Sequence, residues 1–147
     1  MTEFIKYFTR KKAGYSNIIA DGRNPNELPN CTAIAWGLFY YMHGQRKDWS
    51  KRPRGDANTI YESCKKDGSG FWVSKAVKEN SILCFNIGQR GHVVYCLGKL
   101  AGDGPWWCVE SNYSGKIKNG TYIRTLLTDN PAALYKNYQG CVYDFTD

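Results

Sequence analysis

Residues 81–112 read "SILCFNIGQRGHVVYCLGKLAGDGPWWCVESN", and the fold turns on how this stretch is read. "SILCFNI", "GHVVYCLG" and "WWCVESN" are short runs rich in β-branched and aromatic residues, separated by Gly, Asp and Pro. Such runs fit a pleated, packed surface and read as strands. "KLAGDGP" between the last two suits a hairpin connection. The same character continues downstream in "TYIRTLL" and "GCVYDF". Upstream the period changes. From Cys31 to about His43 the apolar residues Ile34, Ala35, Leu38, Phe39 and Met42 recur at helical spacing, and Gly44 supplies a stop. "DANTIYESCKKDG", residues 56–68, reads as a second helix, with Asp56 able to cap it, Ile60 and Cys64 on one face and Gly68 ending it. Residues 1–13 are expected to form a short amphipathic helix around Phe4, Ile5 and Phe8, and "ADGRNPNELPN", residues 20–30, an ordered loop. Helices first and strands afterwards predict an α+β domain, helices packed on an antiparallel sheet, over residues 1–147.

A chain of 147 residues suits one domain with a full hydrophobic core. With 42% hydrophobic and 22% charged residues it has the composition of an ordinary globule. The net charge of +7 points to an anionic partner or surface. Its basic clusters, "KYFTRKK" and "QRKDWSKRPR", are too short and irregular for a nucleic-acid arm; they read either as a solvated face or, more sharply, as a source of long-range attraction to a polyanion such as a bacterial wall. No apolar stretch is long enough to span a membrane, and "MTEFIKYFTRKK" is too polar for a signal-peptide core. Cys31, Cys64, Cys84, Cys96, Cys108 and Cys141 form no CxxC pair, so a zinc site is not expected. Reduced thiols are, with Cys84, Cys96 and Cys108 clustered in the core.

Cys31 stands apart because it opens a helix. The first turn of a helix points unpaired N–H groups at whatever sits there, a setting that favours a thiolate. A thiolate nucleophile needs a base, and histidine has the appropriate pKa. The chain has two histidines. His43 ends the helix that Cys31 begins, on the order of 18 Å away at 1.5 Å per residue. His92 starts a strand and shares a face with Val94 and Cys96, which leaves it as the candidate base. The imidazole in turn needs an acceptor for its second N–H. Glu110 and Asn112 project on one side of the neighbouring strand; Glu110 is favoured, with Asn112 as an alternative third member or a substrate contact. For the oxyanion, the Cys31 N–H and a side-chain amide from Asn24, Asn26 or Asn30 are candidates. Trp106, together with Trp107, Trp49 or Trp72, could line a groove for glycan or peptide.

The segments "LPNCTAIAWGLFYYMHG", "NSILCFNIGQRGHVVYCLG", "WWCVESNYSG" and "NYQGCVYDF" resemble, in order and spacing, those of the CHAP family, the cysteine- and histidine-dependent amidohydrolases and peptidases of phage endolysins and bacterial wall hydrolases. The resemblance implies a small papain-like α+β fold with Cys31 as nucleophile, His92 as base and Glu110 orienting it, with Asn112 nearby. It implies bacterial peptidoglycan as substrate, cut between muramic acid and L-alanine or within the stem peptide or cross-bridge. It further implies a host-cytoplasmic protein released to the wall through a holin-type lesion, as a monomer or one part of a longer modular protein. Neither nucleic acid nor membrane insertion belongs to that reading. Ala33 and Ile34 follow Cys31 and Thr32 where many members carry Gly, Tyr or Trp. The loop before Cys31 offers Asp21 among mostly Asn, too few carboxylates for the calcium cage of some members, so no metal or cofactor is expected. The competing readings are a catalytically silent, basic wall-binding module and a thiol protease or deamidase acting on protein.

Overall fold

The computed structural model describes residues 31–43, 52–53, 55–100, 102–111 and 123–143. The helix expected over 1–13, the loop over 20–30 and most of the basic segment after Gly44 lie outside the described residues. Among the described residues two helices, α1 (Cys31–His43) and α2 (Ala57–Lys65), precede strands β1 (Trp72–Ser74), β2 (Ser81–Phe85), β3 (His92–Lys99), β4 (Trp106–Ser111), β5 (Ile123–Thr128) and β6 (Tyr138–Tyr143). The strands form one sheet in the order β1-β6-β2-β3-β4-β5, with every neighbouring pair antiparallel. The chain is α+β, as its sequence predicts.

Alternation along the strands makes two cores. Val93, Tyr95 and Leu97 of β3 face the helices and pack with Ala35, Trp36, Leu38 and Phe39 of α1 and Ile60 and Cys64 of α2. Val94 and Cys96 face the other way, toward Leu83, Phe85, Cys108 and Cys141. That second face is covered by the segment after the short 3-10 turn Pro131–Ala133, through Leu134, Tyr135 and Tyr138. Burial on both sides explains why β2 reads as a continuous apolar run, fully buried from Ser81 to Phe85. Trp36, Phe39 and Phe71 meet in edge-on and tilted ring contacts that anchor α1 to the sheet.

Several local expectations are corrected. Asp56 occupies the N-cap of α2, but its side chain makes no capping hydrogen bond; the Asp56 carbonyl instead accepts from the Thr59 N–H and hydroxyl. The helix ends at Lys65, before Gly68. Strand β1 was not anticipated, being only three residues long. Arg52, from the basic segment, is buried. The thiols are all free and buried, yet they do not form one cluster. Cys84 faces the helices, while Cys96 and Cys108 sit directly opposite one another on β3 and β4 in the second core. One residue of parity separates the two groups.

The turn joining β2 to β3 sets the position of His92, and it is docked on the start of α2. The Asn58 N–H donates to the Arg90 carbonyl at 2.9 Å, and the Asn58 side chain donates to Asn86 Oδ1 and the Gln89 carbonyl. Gly91, with φ of +75°, lies so close that an added Cβ would sit 2.5 Å from the Asn58 nitrogen. A side chain there meets both an unfavourable backbone conformation and a backbone wall. Gly91→Ala is therefore expected to destabilise the fold by about 2–3 kcal/mol. A urea midpoint equal to the parent's would contradict this close approach.

Candidate active site

Helix α1 begins at Cys31 itself, so the thiol sits in the first turn, where N–H groups have no carbonyl of their own helix to bind. Cys31 belongs to the helix-facing core and retains 9% exposure. His92 opens β3 opposite Phe85 of β2. The β3–β4 register pairs Tyr95 with Val109, and one further step sets Glu110 beside Val94. Glu110 is then on the same face as His92 and two residues along, a diagonal that long side chains can span.

They do span it. His92 Nε2 lies 2.7 Å from Glu110 Oε1. Cys31 also acts on the ring, raising its pKa, and with Nε2 committed to the carboxylate, Nδ1 is the nitrogen left for exchange with the sulfur. Both partners of the imidazole–carboxylate pair are buried, at 5% and 1% exposure. An acceptor held there in the dry interior fixes which nitrogen carries a proton. Burial pushes the imidazole toward its neutral form. The hydrogen bonds to Cys31 and Glu110, and the charges of both, more than reverse this and carry its pKa from 6.5 up to about 9. The folded chain thus holds His92 ready to be an imidazolium.

No family model, curated protein or solved structure matches this chain. A nucleophile, a base within hydrogen-bond reach and an acceptor behind the base form the minimal arrangement for nucleophilic acyl transfer. The first-turn N–H groups of α1, that of Cys31 among them, are donors suited to a developing oxyanion.

The remaining candidates fall elsewhere. Asn24, Asn26, Asn30 and Asn112 lie outside the described residues, as does Trp49. Trp106 is half-buried at the far end of the hairpin, opposite Lys99, whose ammonium lies 5.3 Å from the ring centroid. His92 and Lys99 are the two ends of β3, on the order of 23 Å apart, so Trp106 is not brought to the thiol. Trp107 pairs with Gly98 at the same far end. Trp72 is exposed on the edge strand β1. His43 is likewise remote: its Nε2 lies 2.9 Å from the Asn80 carbonyl and its ring packs on Phe39.

One participant was missed. The Tyr135 hydroxyl donates to Glu110 Oε1 at 2.7 Å, and its ring meets the His92 imidazole edge-on with centroids 5.0 Å apart. Tyr135 comes from an irregular segment with no hydrophobic period, so nothing in its spacing points toward Glu110.

Proposed function

We propose that this chain is a cysteine-dependent peptidoglycan amidase or endopeptidase, on a small papain-like version of the α+β scaffold. The observation that carries the reading is the buried His92–Glu110 hydrogen bond, with Cys31 at the start of α1 acting on the same imidazole. Peptidoglycan as the substrate is supported by the resemblance of four ordered segments to wall hydrolases. It is also supported by a net charge of +7, which favours approach to a polyanionic wall. Release of the enzyme from the host cytoplasm at lysis belongs to the same proposal.

In this mechanism His92 Nδ1 takes the proton of the Cys31 thiol, and the thiolate attacks the carbonyl carbon of a peptide-type amide. The oxyanion that forms accepts hydrogen bonds from the first-turn N–H groups of α1. As the tetrahedral species collapses, the C–N bond breaks and His92 delivers its proton to the departing amine. A thioester on Cys31 remains. His92 next removes a proton from water, which attacks the thioester, and the carboxylate product leaves as the thiol is restored. Glu110 accepts the Nε2–H throughout and keeps the imidazole in one tautomer.

The test is digestion of purified bacterial walls in parallel with an unfolded protein such as casein. New free amines with released muropeptides are expected from walls alone, and mass spectrometry of the fragments identifies the bond. Cleavage or deamidation of casein without wall release would replace the reading with a protein-directed thiol hydrolase. Wall binding with no bond broken would reduce the chain to a binding module.

A further inference from the structure

We propose that Tyr135 is a positioning residue of this site, its hydroxyl fixing the Glu110 carboxylate while its ring edge fixes the His92 imidazole. The proposal deepens the reading of Cys31 and His92 as a nucleophile–base pair and rests on it.

A glutamate carboxylate turns easily about its last torsion, which is broad and roughly two-fold. Glu110 Oε1 is the atom that meets His92 Nε2, at 2.7 Å. The same oxygen accepts the Tyr135 O–H, also at 2.7 Å. Two donors converging on one oxygen define where its lone pairs point. Meanwhile the tyrosine ring stands at 78° to the imidazole plane, limiting how far the histidine can swing. One side chain therefore restrains both halves of the imidazole–carboxylate pair.

Tyr135 is itself held from outside the site. Phe85 contacts its ring edge-on with centroids 5.4 Å apart. The segment is tied to the end of β2 by a reciprocal pair: the Asn86 N–H donates to the Asn137 carbonyl at 2.9 Å, and the Asn137 side chain donates to the Asn86 carbonyl at 3.2 Å. Asn137 takes a left-handed conformation, φ +58°, to close that clasp. The position of the phenol oxygen is thus imposed by β2 and the clasp. The carboxylate conforms to the phenol. Removing the hydroxyl takes away one of the two donors that converge on Oε1, and the imidazole–carboxylate pair loses alignment while the fold keeps its packing.

The readout is alkylation of Cys31 by iodoacetamide, mapped by mass spectrometry, with the rate at pH 6.5 divided by the rate at pH 10. It needs no knowledge of the substrate. An ordinary thiol is about 1% thiolate at the lower pH, so its ratio is near 0.01; a thiolate–imidazolium pair raises it at least about tenfold. Tyr135→Phe keeps the ring, and is expected to lower the parent's ratio by about three- to tenfold with little change in melting temperature. Leu134→Ala, in the same segment, should lose stability and keep the ratio. On a Glu110→Gln background, Tyr135→Phe should have no further effect, since the carboxylate it holds is gone. An enhanced parent ratio left intact by Tyr135→Phe, or effects that add on the Glu110→Gln background, would overturn the role of Tyr135 alone. A parent ratio near 0.01 would overturn the Cys31–His92 pairing, and the positioning role with it.

Discussion

Cys31→Ser is expected to slow wall hydrolysis by about three orders of magnitude or more, the scale of nucleophile loss in a hydrolase triad. The substitution keeps size and hydrogen bonding close to the parent's, so it isolates the chemistry. A serine hydroxyl is far less acidic than a thiol. Cys31 lies in the first turn of α1 and acts on an imidazole whose pKa is carried up to about 9. An imidazole that favours its protonated form is a poor acceptor for the proton of a hydroxyl. The serine variant should therefore fold, bind wall and fail to cut. Its melting temperature separates this from the inert-core alternative, in which a buried cysteine serves only packing. There, serine would cost stability and spare the rate. Release of free amines within tenfold of the parent's rate would remove Cys31 as nucleophile.

The two strand-borne members of the site were legible in the sequence and Tyr135 was not, for a reason rooted in geometry. Period-two alternation puts His92 with Val94 and Cys96, and Glu110 with Cys108, before any coordinates are known. What alternation cannot supply is register, and the pairing of Tyr95 with Val109 is what brings Glu110 diagonally across from His92. Cys31 was legible because a helix start is a local event with local signals. Tyr135 reaches Glu110 across 25 residues of chain from a segment with no period of its own. Its contact with Phe85 and the clasp of Asn86 with Asn137 help to set where its ring goes. The same limit explains the thiols. Cys84, Cys96 and Cys108 all read as buried, but the side of the sheet each takes follows from the offset between strands, which the turns set. Strand β1 was missed because Trp72–Ser74 is held by pairing with β6, a contact about 70 residues away in the chain, of a kind that local propensity does not encode.

His92 carries the second large effect, and its pH dependence is the sharper test. His92→Ala is expected to lower wall hydrolysis by about three orders of magnitude, since neither the thiol nor the leaving amine then has a proton partner. Alanine also strips a hydrogen-bonded partner from Glu110, whose side chain is buried. Removing one member of such a pair costs about 3–5 kcal/mol, so His92→Gln, which keeps a polar side chain at the position, should accompany it. In the parent, the folded-state pKa of His92 is raised, from 6.5 to about 9. The protonated pairing therefore stabilises the fold in full below 6.5 and is lost as pH rises through about 9. Melting temperature should fall across that window in the parent and fall less in His92→Gln. Activity should follow the same proton: the imidazolium that serves the leaving amine persists until its pKa, placing the alkaline limb of kcat/KM near 9. Glu110→Gln removes one of the interactions that raise the imidazole, so its limb should move toward neutrality. A parent limb near 7, or a limb that Glu110→Gln leaves in place, would show that the carboxylate does not govern the proton on His92.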